Sequence, residues 1–373
     1  MIAPLLLACV VLGVGVAIRQ AGVARAGATP AEYLLSAQNA DGGFGARPGQ
    51  SSTQLFSGWA ALGLAAAGYN AQRVSKSGHT LSGFLSSGVR TDTDPGSVER
   101  TVLAVAAAGL DPANFGGHDL VAALERDVGG DGSVSGQTNL TSFAVLALRA
   151  AGVAPRSATV SWLIHQEDDD GGFNFASRGA VSDVDDTGAA LQALAGVPGT
   201  SAARARGRAV QFIQRQQDHD GGFPTSPGAG SNAQSTAWAV QGLLAAGASG
   251  ATVNRALSYL DALIASDGHV RYSRSSDQTP VWVTAQAAMA LAEKPLPLAP
   301  VAVPHPAAPR RHRASAVAPT RRRHARTHAR AVRATHRRAR AASPAVAPSP
   351  TTQRLATDLG ILDALALAPI GAG

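Results

Sequence analysis

The sequence predicts an all-α fold, six helical hairpins closed into an α/α barrel and followed by a disordered basic tail. Three observations carry this expectation. Between residues 30 and 295 an amphipathic helical pattern, a Gly-rich turn with an acidic residue and a small-residue apolar helix alternate six times. The second helix of each pair is Ala- and Leu-rich on nearly every face, so it must be buried all round. The first carries polar residues on one side (Arg204, Arg208 and Arg215 in one case), as an outer layer does. Six buried helices inside six amphipathic ones describe a closed barrel. An open solenoid would need polar capping repeats, and none is evident.

Taken in order, the chain begins with an apolar run from Ile2 to Ile18, followed by Arg19 and by Ala24-Arg25-Ala26. This pattern predicts that residues 1–26 are a secretory signal or an N-terminal anchor, and so that the protein is secreted or held at the cell envelope. The only cysteine is Cys9, inside that run, so neither a disulfide nor a thiolate metal site is expected in the body of the protein.

The barrel is assigned residues 27–295. Its inner helices are expected at Ser57 to Gly68, Val98 to Gly109, Thr141 to Gly152, Thr187 to Gly196, Thr236 to Gly247 and from Thr284 onward. Ser or Thr at the start and Gly at the end are the expected boundary signals. Acidic turn residues fall at Asp41, Asp131, Asp170, Asp220 and Asp267, with a degenerate turn near Asp94.

Residues 296–350 are rich in Pro, Ala, Arg and His and are read as a disordered basic linker. Residues 351–373 form a short apolar segment interrupted by Asp358 and Asp363. The charge is divided accordingly. Residues 301–373 hold 13 Arg and 2 Asp, whereas residues 1–300 hold 19 Lys or Arg against 23 Asp or Glu. The barrel is therefore mildly acidic, and the tail supplies the positive excess. Without aromatics for base stacking, the tail argues against a nucleic-acid partner. An anionic envelope polymer or a membrane surface is the expected partner on an exported protein, and a solvated spacer is the other reading.

The turns carry a resemblance. Gln38 to Phe44 reads QNADGGF, Gln166 leads to Asp170-Gly171-Gly172-Phe173, and Gln217 leads to Asp220-Gly221-Gly222-Phe223. This repeat resembles the prenyltransferase and squalene-oxidase repeat of the terpene cyclase and protein prenyltransferase superfamily, whose fold is an α/α toroid. With Arg208-Ala209 and Phe212-Ile213 upstream, the last turn also resembles the QW motif of squalene–hopene cyclases. Asp183-Val184-Asp185-Asp186-Thr187 is similar to the DxDD motif of class II terpene cyclases. The resemblance implies Asp185 as the acid that protonates an alkene or epoxide, with Asp183 and Asp186 tuning it. The physical basis is that neighbouring carboxylates do not all ionise together. A structural reading stands beside it, with Asp186 as the cap or dipole partner of the helix it precedes. A zinc protein prenyltransferase is excluded, because that resemblance requires an Asp, Cys and His set. No cofactor and no metal are implied.

Trp59, Phe143 and Trp238 occupy the same position in repeats one, three and five, two residues after the expected helix start. Trp282 lies two residues before Thr284. Two readings are open: an aromatic-rimmed mouth for a flat or greasy ligand, or packing between the helix layers. The sequence therefore predicts a toroid that binds a hydrophobic ligand or partner in its cavity. By resemblance of fold the ligand would be isoprenoid-like or a corrinoid. The alternatives are a cyclase domain using Asp185 and a purely structural envelope module.

Overall fold

The computed structural model describes residues 27–91 and 93–303. The predicted signal or anchor, the short C-terminal segment and the basic tail from residue 304 onward lie outside them. Six outer helices alternate with six inner ones. The outer set is α1 (Pro30–Ala37), α3 (Leu81–Gly88), α5 (Leu120–Asp127), α7 (Ser157–His165), α9 (Thr200–Arg215) and α11 (Ala251–Ala262). The inner set is α2 (Gln54–Ala66), α4 (Pro95–Ala107), α6 (Thr138–Ala150), α8 (Val184–Leu194), α10 (Ala233–Ala245) and α12 (Pro280–Leu291). Each inner helix packs on the next and α12 packs on α2, so the ring closes as an α/α toroid. Except for a two-residue hairpin, Ser75–Lys76 against His79–Thr80, the regular structure described is helical.

The inner helices begin three or four residues earlier than the Ser and Thr signals suggest. The caps are upstream: Thr53, Asp94, Asp183 and Asn232 each accept a hydrogen bond from the backbone N–H three residues on. The Ser and Thr hydroxyls do a different job. Ser57, Thr141, Thr187, Thr236 and Thr284 accept the backbone N–H of Phe44, Val134, Phe173, Phe223 and Val270, each at 2.9 Å. Each hydroxyl thereby clamps the turn that leads into its own helix, satisfying a buried backbone donor. The turn glutamines act similarly. Gln38 and Gln217 donate to the carbonyls of Gly42 and Gly221 at 2.8 Å, within the turn, whereas Gln166 donates to the Trp162 carbonyl at the end of α7 at 3.3 Å.

The same turns join one repeat to the next. At Gly171 φ is +87°, and an added Cβ would stand 2.9 Å from the Arg208 side chain and 3.0 Å from its carbonyl on α9. Gly268 repeats this at the seam, where a Cβ would come within 2.4 Å of the Thr29 carbonyl ahead of α1. Both the backbone angle and the close approach require glycine. Two residues beyond the turn aromatic or its Val270 counterpart, a carbonyl accepts the first free N–H of the preceding inner helix. Thr225 receives Val184, Tyr272 receives Ala233, and Ala46 receives Val281, the last closing repeat six onto repeat one.

The domain runs past its predicted end. Residues 296–303, placed in the tail by composition, form a strap across the end of the ring where the inner helices finish. Lys294 Nζ binds the Ala66 carbonyl of α2 at 2.7 Å, and the Leu296 N–H binds Gln192 of α8 at 2.8 Å. The Val301 N–H then binds Ala107 of α4 at 2.9 Å, and Asn70 holds the Val301 carbonyl at 2.6 Å. Leu296 and Leu298 are buried. Proline-rich composition hid a segment that is bonded through Leu296 and Val301 to distant parts of the chain.

Candidate functional site

Three aromatic rings from alternate inner helices meet at the axis of the toroid. Trp59 of α2, Phe143 of α6 and Trp238 of α10 contact one another edge to face, with centroids 6.2, 6.0 and 5.5 Å apart. Trp282 of α12 stacks on Trp59 at 6.0 Å with its plane tilted by 17°, and Phe56 meets Trp282 edge to face at 6.2 Å. The four predicted residues are thus brought together, but as a plug rather than a rim. All four are at most 3% exposed. The shared register of Trp59, Phe143 and Trp238 explains their convergence, since equal positions on parallel helices of a closed ring point at one axis; Trp282 joins them from one turn earlier on α12. Edge-to-face contacts at this spacing contribute about 0.5–1.5 kcal/mol each beyond area burial.

The plug is not fully satisfied. The indole N–H groups of Trp59, Trp238 and Trp282 are buried with no hydrogen-bond partner among the described residues. Gln286 shares this state. Its carbonyl accepts from Gln234 at 2.7 Å, while its amide nitrogen has no acceptor. An unmatched buried donor costs about 1–3 kcal/mol, so four of them in one region of a core call for an explanation.

At the rim where the inner helices begin, the three aspartates separate in role. Asp183 is the cap of α8, its carboxylate accepting the Asp186 N–H at 2.7 Å. The cap is therefore Asp183 and not Asp186, because the helix starts at Val184. Asp185 and Asp186 lie in the first turn of α8, 5% and 2% exposed. Asp185 is close enough to Tyr272 to act on it. Burial, and then the Asp185 charge, raise the Tyr272 phenol above its ordinary value, while a hydrogen bond with Thr225 pulls the other way.

Sequence reading passed over Glu99 on α4. It is fully buried, both carboxylate oxygens lack a partner among the described residues, and Arg100 follows it. Burial, together with the charges of Asp127 and Asp94, pushes its carboxyl well above the usual range against the pull of Arg100. The signal was present in the sequence, since an adjacent Glu-Arg pair in an otherwise small and apolar inner helix is a local inconsistency. Gln286 gave no such signal, because its unpaired amide exists only in the assembled ring.

Comparisons with known proteins agree with this architecture. The type II terpene cyclase MstE from Scytonema, solved in complex with geranylgeranyl dihydroxybenzoate, superposes with a TM-score of 0.55 at 16% identity over 71% of this chain and 94% of that one. A protein from Actinoplanes gives a TM-score of 0.54 at 16% identity, covering 71% and 97%. A glycosidase in complex with glucose gives 0.50 at 15% identity, covering 71% and 95%. At such identities the likeness is one of fold, and the same ring serves different chemistries. No curated protein sequence matches the chain. The family model described as the prenyltransferase α/α toroid domain matches residues 8–91 and 102–264, and the chain belongs to that family.

Proposed function

We propose that this toroid is a receptor for a small, largely apolar ligand taken up from the rim where the inner helices begin. The observation that carries the reading is the tryptophan-rich plug at the ring axis. A purely structural core is filled by aliphatic side chains with no polar atoms to satisfy. Three tryptophans and a glutamine with unmatched donors are a costly way to fill space, and an acceptor-bearing guest removes that cost. The strap of residues 296–303 crosses the opposite end, which favours approach from the rim that carries Asp185 and Tyr272. MstE binds an isoprenoid-tailed molecule within the same fold, which makes an isoprenoid-like ligand the first choice and a corrinoid the bulkier alternative. Export rests on the apolar run from Ile2 to Ile18 and is tested by fractionating producing cells.

The test is a titration of the protein with farnesol, squalene and cobalamin, read by tryptophan fluorescence and melting temperature. Saturable binding of at least one ligand, weakened at least fivefold in Trp59→Leu, is the expected outcome. If none of the three changes either signal, the receptor reading falls and a structural module takes its place.

A second reading is favoured by one observation, the burial of Asp185 at the rim beside Tyr272. In a type II terpene cyclase the carboxylic acid gives its proton to an alkene carbon, leaving a carboxylate and a carbocation that the substrate's next double bond captures. Incubation with squalene and with geranylgeranyl diphosphate, beside Asp185→Asn, decides it. Cyclised product from the wild type and none from the variant supports the cyclase, and no product from either substrate removes it for those two.

A further inference from the structure

The unmatched groups of Trp59, Trp238, Trp282 and Gln286 are all donors, and their arrangement narrows the ligand. Trp59, Gln286 and Trp238 stand at equivalent positions, two residues after Ser57, Thr284 and Thr236, on the consecutive helices α2, α12 and α10. Trp282 lies one turn earlier on α12, stacked on Trp59. One side of the ring interior therefore presents three indole N–H groups and one amide N–H, all buried and none bonded to the protein. The corresponding position on α4 holds Arg100, buried against Gly58 of α2 and donating to Ser97 at 3.0 Å. The cluster thus offers hydrogen bonds without formal charge.

Uncharged donors among aromatic faces select a particular kind of guest. A carboxylate or phosphate would lose its hydration there and find no cation among these four side chains. A hydroxyl would accept one bond but bring a donor of its own into a region already in excess of donors. A carbonyl brings acceptor lone pairs and no donor, and a flat conjugated ring bearing two carbonyls also stacks against indoles.

Resting on the receptor reading above, we propose that the cluster Trp59–Trp238–Trp282–Gln286 is a carbonyl-binding subsite for a quinone ring, the ring's apolar tail leading out past Trp282 to the rim. Binding requires the edge-to-face contacts to open, so the guest replaces Phe143 or Trp282 as a neighbour of Trp59.

The test uses the purified full chain and isothermal titration calorimetry with three probes: decylubiquinone, decylbenzene and decanoate. Decylubiquinone is expected to bind at least about tenfold more tightly than decylbenzene, which has a similar tail and no acceptor. Gln286→Leu and Trp238→Phe each remove one donor and keep the apolar volume. Each is expected to lower quinone affinity about fivefold and to leave decylbenzene unchanged, with far-ultraviolet circular dichroism confirming the fold. Using two variants on different helices guards against the failure of one to fold. Equal affinities for decylubiquinone and decylbenzene overturn the proposal, as does a quinone affinity that neither variant alters. Tighter binding of decanoate overturns it in favour of an anion site. If none of the three probes binds, the carbonyl subsite is lost and the receptor reading is decided by the farnesol, squalene and cobalamin titration; if decylbenzene binds as tightly as the quinone, that reading stands and the carbonyl subsite alone is lost.

Discussion

Repeat four passes from its outer to its inner helix through Asp170-Gly171-Gly172-Phe173, whereas repeat two makes the same passage through residues 90–94 with no glycine among them. The consequences reach the core. In repeat four Gly171 lets the turn touch the next outer helix, and Gly188 lets α8 lie against Trp238 of α10, whose carbonyl would stand 2.6 Å from an added Cβ. In repeat two the inner helix carries Glu99 and Arg100 where its neighbours carry small or aromatic residues. One region is held by close backbone contact, the other by a buried acid beside a buried base. Close backbone contact itself involves no titratable group, whereas the buried Glu99 makes its contribution depend on pH.

This contrast is broken most severely at the glycine turn. Gly171→Ala is expected to cost about 3 kcal/mol, since both the positive φ and the Arg208 backbone oppose a Cβ. Urea unfolding followed by circular dichroism measures it, and a loss below about 1 kcal/mol would show that the turn does not hold repeat four to repeat five. The buried acid should give the next largest effect. The native state resists ionising Glu99 while the unfolded chain ionises near the ordinary glutamate value of 4.5, so stability falls as pH rises from there through the raised native value. Glu99→Gln removes that slope. The variant should match the wild type near about pH 5 and exceed it near about pH 8, by about 1.4 kcal/mol per unit of displacement reached. A parallel pH dependence in the two proteins would mean that Glu99 is not the group responsible.

The helix caps test whether the two repeats share what their turns do not. Asp183 and Asp94 cap α8 and α4 in the same way, and Ala at either is expected to cost about 1 kcal/mol. A loss several times larger at Asp183 alone would point to work beyond capping in the DxDD segment. The smallest effect is expected at Thr91, an exposed residue in the turn of repeat two, where Ala should change stability by less than about 0.5 kcal/mol. Chemical denaturation of the three variants in parallel gives the ranking.

The amino-acid sequence by itself determined the hairpin count, the alternation of outer and inner helices and the closed ring. These follow from local periodicity and from turns whose glycines leave the backbone little choice. It also marked Trp59, Phe143 and Trp238 as one set, because their positions repeat along the chain, with Trp282 close by, two residues before Thr284. What it misjudged were matters of partner. Thr187 was taken to start a helix because Ser and Thr often do, yet its hydroxyl holds the Phe173 amide. Of the two structural roles open to Asp186, cap or dipole partner, the cap falls to Asp183 because the helix begins at Val184, and Asp186 lies in the first turn. Residues 296–303 were assigned to the tail because composition records what a segment contains and not what it touches. Only the tertiary structure decided that the four aromatics plug the ring, that Glu99 is buried without a partner, and that Trp59, Trp238, Trp282 and Gln286 are left as unmatched donors. Satisfaction of a buried group depends on atoms far away in sequence, and those distances exist only once the ring has closed.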